Sequence, residues 1–391
     1  MVIKWCLNLV LLSIFAICVN SETNKDDLEL KFVFVAVRGS AHWPCDYPGG
    51  PVIFHMPEQF SRLSWRGRED AYGYGQEISD MYRQRLGVNH WSKKNYLSLG
   101  SYSLRTMQAA LVLGAGLENK HYKINWQWSE AKKSSTQFPA MQQYLKIYSS
   151  QKCPKFVQDV RSNFIRTHKL DPRFLYAYQI FTEDLAGINL SPQRRPEDIW
   201  LAYESMFNVF YSYKRRYHHK YRYWKLVREQ FKKFSKELMW TSLTATEDLR
   251  KMSGGAIVHD VLNDMANITK NKSINDRPDL KLAVLTATQG ILAASVVAFA
   301  PNGTTLGGKP LGADDLYPEH GAMQVIEVYK QGESSWKIKV LYRKNREECL
   351  KPMVISGCEN ELCDYDKFKS AVKGIDLEEK AHDNLCMKAQ E

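Results

Sequence analysis

After residue 21 the chain contains no uninterrupted apolar stretch of membrane length, which argues against a bilayer-spanning helix in the remainder. The nearest approach, Lys281 to Pro301, carries Gln289 and reads as a buried strand followed by a helix. A phosphate-cradling loop is missing too. Gly303 to Gly312 is glycine-rich and contains Lys309 but lacks the Gly-Lys-Ser/Thr ending, so it reads as a flexible loop. Gly114-Ala-Gly116 closes a helical pattern rather than following a strand, which makes it a helix terminus and not a dinucleotide fingerprint. Zinc spacing is absent, since only Cys358 and Cys363 lie close together and no histidines match them. No metal and no cofactor is expected. No internal repeat or low-complexity tract is visible.

What is present is a globular composition: 391 residues, 44% hydrophobic and 25% charged, enough to bury a large core. Length alone admits two or three domains, or one large α/β unit with an insertion. The 54 Lys and Arg against 43 Asp and Glu give a net charge of +11, a diffuse excess that permits anionic partners and specifies none. Residues 1–21 have the form of a signal peptide: a cationic start at Met1 to Lys4, an apolar run from Trp5 to Val19, and the small-residue pattern Val19-Asn20-Ser21. The mature chain is accordingly expected to be soluble and secreted. Loss of Cys6 and Cys18 with that peptide leaves Cys45, Cys153, Cys349, Cys358, Cys363 and Cys386, an even set that suits disulfides in an oxidising compartment. Sequons at Asn267, Asn271 and Asn302 fit the same route and place those loops at the surface.

Leu30 to Val37 is an apolar, β-branched run ending at Arg38-Gly39, the pattern of a buried strand that opens into a loop where α/β proteins build sites. Helical patterns follow at Ser61 to Leu86 and Ser103 to Leu113, and a second buried strand is expected at Lys281 to Thr286. Met323 to Tyr329 and Trp336 to Tyr342 alternate strictly around Gly332-Glu-Ser, which predicts a hairpin. Phe138 to Asp264 shows long helical stretches and no convincing strand. The expected architecture is an α/β core sheet flanked by helices, about 22–135 and 265–391, with an inserted helical cap at about 136–264. Within that cap, Tyr211 to Trp224 interleaves aromatics with cations and contains His218-His219. A solvated basic helix face with tyrosines packed inward is the simpler reading. A heparin-like glycan or an anionic surface is the functional one, and secretion argues against nucleic acid.

The informative constellation is Val35-Ala-Val-Arg-Gly-Ser-Ala-His-Trp-Pro44, with Gly67, Gly75-Gln76, Leu104-Arg-Thr106, Cys-Pro-Lys-Phe at Cys153, and Leu285-Thr-Ala-Thr-Gln-Gly-Ile-Leu292. In this order the chain resembles the secreted histidine acid phosphatases over nearly its whole mature length. That family's first motif, Arg-His-Gly-x-Arg-x-Pro, supplies a phosphate-accepting His between two phosphate-clamping Arg residues. Here the same positions read Arg38, Gly39, Ser40, Ala41, His42, Trp43 and Pro44, so Gly39 stands at the nucleophile position and His42 at the second clamp. A further arginine of the pattern falls on Leu99, and the His-Asp pair that binds phosphate and protonates the leaving group falls on Thr288 and Gln289. His259-Asp260 is not a surviving acid motif: it follows Gly254-Gly255, where the family has a structural helix start.

The resemblance therefore implies an inactive member, since removing a covalent catalytic unit costs on the order of 10⁶ in kcat. It resembles the degenerate acid phosphatase-like proteins of flea saliva, which implies a secreted scavenger of small host mediators, with serotonin-like amines and leukotrienes as expected ligands. Arg38, Gly39, His42, Trp43, Asp46, Leu99, Thr288 and Gln289 are the expected lining of the cleft. In it, Trp43 is an aromatic wall or simply core. Asp46 is a partner for an ammonium or the cap of a turn, and Arg38 a partner for a carboxylate. The resemblance also implies disulfides Cys153 to Cys386 and Cys358 to Cys363, leaving Cys45 and Cys349 as a possible third. Weak phosphatase activity by a direct-water route and glycan binding are the alternatives.

Overall fold

The computed structural model describes residues 28–40, 62–101, 103–120, 136–137, 151–167, 200, 203–204, 207–208, 218–274 and 276–388. Its centre is β1 (Leu28–Arg38), whose side chains are buried on both faces. Phe32, Phe34 and Ala36 join one apolar cluster, while Leu30, Val33, Val35 and Val37 join a second. Burial on both faces is why the run is continuously apolar rather than alternating. Parallel to β1 lies β4 (Leu282–Ala287), then β2 (Tyr96–Gly100) and the two-residue β3 (Thr136–Gln137). On its other side β7 (Met323–Gln331) runs antiparallel and turns at Gly332 (φ 59°) into β8 (Ser335–Arg343), the expected hairpin. β3 thus gives the sheet two residues that the boundary near 136 assigned to the cap. The described residues from 151 to 264 carry helices and no strand.

Two helices cover the second cluster. α1 (Trp65–Tyr82) is capped by Ser64, which accepts from Gly67 N at 3.1 Å, and α2 (Leu104–Leu117) by Ser103. They meet through glycines: a Cβ at Gly75 would lie 2.1 Å from the Leu113 carbonyl oxygen, and one at Gly116 would lie 2.2 Å from that of Tyr72. Gly116 is therefore both a helix-end residue and the contact that brings the helices together. On the other face pack α3 (Pro154–Thr167), α4 (His218–Thr244), α5 (Glu247–Thr269) and α6 (Gln289–Ala298). Toward the C-terminus come β5 (Thr305–Leu306), β6 (Lys309–Pro310), β9 (Lys351–Val354), β10 (Leu362–Asp364), α7 (Tyr365–Val372) and α8 (Glu379–Met387).

Three local expectations change. Gly303 to Gly312 is no loose loop: β5 and β6 form a tight hairpin on the sheet edge, with Gly307 (φ 56°) and Gly308 (φ 80°) turning between them. Gly254-Gly255 lies inside α5 rather than before a helix. A Cβ at Gly254 would sit 2.4 Å from that of Ala298, and one at Gly255 would sit 2.6 Å from the Ile375 carbonyl oxygen, so the pair permits close packing. Asn267 is helical and half-buried near the end of α5, while Asn271 and Asn302 are exposed as expected. The helix read from Tyr211 begins, among the described residues, at His218; 209–217 lie outside them.

Disulfides join Cys153 to Cys386 and Cys358 to Cys363, as the resemblance implied. Cys349 is also disulfide-bonded, and Cys45 lies outside the described residues. No described helix is long and apolar enough to cross a membrane.

Candidate functional site

β1 and β4 are parallel neighbours whose chains leave their carboxyl ends for different parts of the fold, the place where open α/β sheets form a crevice. Arg38-Gly39 and Ala287-Thr288-Gln289 meet there, tied by the Gly39 amide donating to the Ala287 carbonyl at 2.8 Å. A Cβ at Gly39 would find only ordinary contacts, 3.4 Å to Ala287 O and 3.6 Å to Thr106 Cγ2. Glycine here is therefore not forced by backbone packing. What it removes is a reactive side chain.

The Arg38 side chain is buried at 2% exposure, and both of its terminal nitrogens are engaged. Nη1 donates to the Pro318 carbonyl at 2.7 Å, and Nη2 pairs with the Glu204 carboxylate. Glu204 is one of the described helical residues 200, 203–204 and 207–208, and Asn208 Nδ2 reaches both its carbonyl (2.8 Å) and its Oε1 (3.0 Å). Gln289 is equally committed. Its Nε2 donates to the same Pro318 carbonyl at 2.7 Å, and its Oε1 accepts from Trp200 Nε1 at 2.9 Å. Thr288 caps α6 by accepting from Ile291 N. The Leu99 side chain belongs to the apolar cluster, and its carbonyl receives the Thr286 hydroxyl at 3.0 Å.

Around this polar knot stand aromatic rings. Tyr203 stacks on Phe207 (centroids 6.0 Å) and meets Tyr317 edge-on (6.1 Å), and Phe207 stacks on His320 (5.3 Å). Burial, reinforced by neighbouring acidic groups, pushes the Tyr203 and Tyr317 hydroxyls well above the ordinary phenol range, so both remain neutral. Trp200 also walls an apolar pocket of about 30 Å³ with Phe156, Val160, Leu238 and Met239.

The structure thus brings Arg38, Gly39, Thr288 and Gln289 together and keeps Leu99 beside them through its backbone. His42, Trp43 and Asp46 lie outside the described residues. His259 on α5 is engaged with none of these residues: its Nδ1 lies 2.8 Å from Asp376, which follows α7. Glu204, Asn208, Trp200 and Pro318 were missed. A signal existed: Trp200, Tyr203, Glu204, Phe207 and Asn208 follow helical i, i+3, i+4, i+7, i+8 spacing, so two polar residues share an apolar stripe. Among the described residues no group of His, Cys, Asp and Glu is placed to hold a metal ion.

No family model matches the chain. Acid phosphatase-like protein XcAP-3 of Xenopsylla cheopis is 33% identical over 93% of this chain and 94% of its own length, and XcAP-1 of the same flea is 30% identical over 92% and 95%. Human prostatic acid phosphatase is 21% identical over 88% of this chain and 85% of its own. Among solved structures, Hafnia alvei phytase superposes with a TM-score of 0.60 at 12% identity, covering 94% of this chain and 100% of the phytase. The multiple inositol polyphosphate phosphatase of Bifidobacterium longum gives 0.59 at 9% identity, over 94% and 97%. The sheet topology, the Arg38-Gly39 strand end and full-length similarity to acid phosphatase-like proteins agree: the chain belongs to the histidine acid phosphatase family.

Proposed function

We propose that this chain is a secreted, non-catalytic acid phosphatase-like protein that binds and sequesters small mediators, biogenic amines such as serotonin or leukotrienes, in its altered cleft. The observation that carries this reading is the internal use of the cleft's polar groups. Arg38 is neutralised by Glu204, Gln289 is held between Trp200 and Pro318, and Gly39 offers no nucleophile. An amide cannot donate a proton as a general acid near neutral pH, so neither half of the family's covalent mechanism has a residue at its position. What remains is a charge-balanced polar knot faced by aromatic rings, and such a lining suits a ring or an amine better than a phosphate. The apolar pocket beside Trp200 is large enough for a methyl-sized group. Disulfides that brace the fold suit a stoichiometric binder in an oxidising medium. Similarity to flea proteins fits a role in feeding saliva.

Calorimetric titration of the glycosylated, disulfide-intact protein with serotonin and with a cysteinyl leukotriene tests this. Saturation near one equivalent at submicromolar Kd is expected for at least one of them, with no phosphate release from p-nitrophenyl phosphate. Absence of heat with both ligands overturns the binding reading. Turnover of the ester overturns the non-catalytic one.

A further inference from the structure

We infer that Glu204 is an internal occupant of the cleft's oxyanion seat, so that the native chain refuses tetrahedral oxyanions there and accepts them once that carboxylate is removed. The inference deepens the non-catalytic reading of the cleft and rests on it.

Arg38 is the one residue retained at the matched catalytic positions, and a buried guanidinium demands an anionic or at least strongly polar partner. A carboxylate oxygen and a phosphoryl oxygen are the same kind of partner, anionic acceptors that guanidinium N–H groups approach in similar geometry. Glu204 supplies that oxygen from the chain itself. It is also aimed: Asn208 fixes its carbonyl and its Oε1, and Tyr203 and Phe207 on the same helical stripe pack against Tyr317 and His320. An incoming phosphate would have to dislodge this carboxylate or approach it with like charge in a water-poor cleft, and both oppose binding. With Glu204 neutral, Arg38 regains an uncompensated positive charge. Its Nη2 and the Asn208 amide, which both reach the same Glu204 oxygen, then face one point with no negative charge held between them.

The test compares the native chain, Glu204→Gln and the double variant Arg38→Gln/Glu204→Gln by calorimetry with inorganic phosphate and with tungstate. Glu204→Gln keeps the shape and removes the charge. It is expected to bind both anions about 10- to 100-fold more tightly than the native chain, the range of a charge-assisted hydrogen bond gained, and the double variant is expected to lose that gain. Melting of Glu204→Ala gives an independent readout, because phosphate should raise its midpoint in a concentration-dependent way while leaving the native midpoint unmoved. Folded Glu204→Gln that binds no better than native overturns the inference. So does native protein that already holds phosphate and loses it on Arg38→Gln. If native protein instead hydrolyses p-nitrophenyl phosphate, it is the non-catalytic reading that fails. Inactive native protein that binds phosphate through Arg38 defeats the inference alone.

Discussion

Arg343 and Arg38 are both buried guanidiniums paired with a glutamate, and they lie on opposite sides of the sheet's helical cover. Arg343 on β8 grips Glu77 of α1 in a two-pronged fork and sends Nε to the Gly321 carbonyl at 3.0 Å. That pair joins two permanent parts of the core. Arg38 meets Glu204 through one carboxylate oxygen and spends its other prong on a backbone carbonyl, and its partner arrives from the inserted helical region at the mouth of the crevice. The difference is between a pair whose geometry is complete within the core and a pair standing where a ligand would enter. Buried ion pairs are weak evidence for stability in themselves, so position in the fold decides which of the two is structural and which shapes binding.

The contrast can be broken most strongly through the covalent tie on the cleft side. Cys153 and Cys386 are 233 residues apart in sequence, and replacing both by Ala should cost about 5 kcal/mol on the chain-entropy account, against about 2 kcal/mol for the five-residue span of Cys358 and Cys363. Urea unfolding of the two double variants gives the ranking, and equal losses would count against it. Next comes Glu77→Ala, which strands the Arg343 charge and should destabilise by about 3–5 kcal/mol. Unlike Glu204→Ala, it should show no recovery with phosphate, because its surroundings are closed by core elements. Recovery there would erase the distinction drawn between the two pairs.

The smallest effect concerns a carboxylate whose neighbour has the same charge. Burial first, and Asp260 second, push Asp264 on α5 up to about 6 from an ordinary 3.8. A raised folded value means that the native state holds its proton longer than the unfolded chain does. This group's contribution therefore falls as pH climbs from about 4 through about 6 and is fully lost above that. Asp264→Asn should leave stability near pH 4 little changed and raise it at pH 7.5 by about 1 kcal/mol, a value reduced for the partial exposure of the group. Denaturation at the two pH values checks the sign, and a stabilisation confined to the acid side would refute it.

Much of the fold was legible because its signals are local. The unbroken apolar run at 30–37, the helical patterns at 61–86 and 103–113, and the strict alternation at 323–329 and 336–342 each reflect an element's own geometry. The glycine pair at 254–255 misled for the opposite reason. In isolation it weakens a helix, yet contact with Ala298 and Ile375 makes small residues necessary there. Glu204 was passed over because a lone glutamate in an aromatic helical stripe has a partner only once residue 38, 166 positions away, is brought beside it.

By itself the sequence determined which chemical groups are available: glycine where the family carries its nucleophile, an amide where it carries its acid, an arginine kept at position 38, and cysteines able to pair. Side-chain identity is fixed by covalent structure and needs no fold to be read. Only the tertiary structure decided how those groups are spent. The charge state of a cleft depends on distances between residues far apart in the chain, and folding set Glu204 against Arg38 and Trp200 against Gln289.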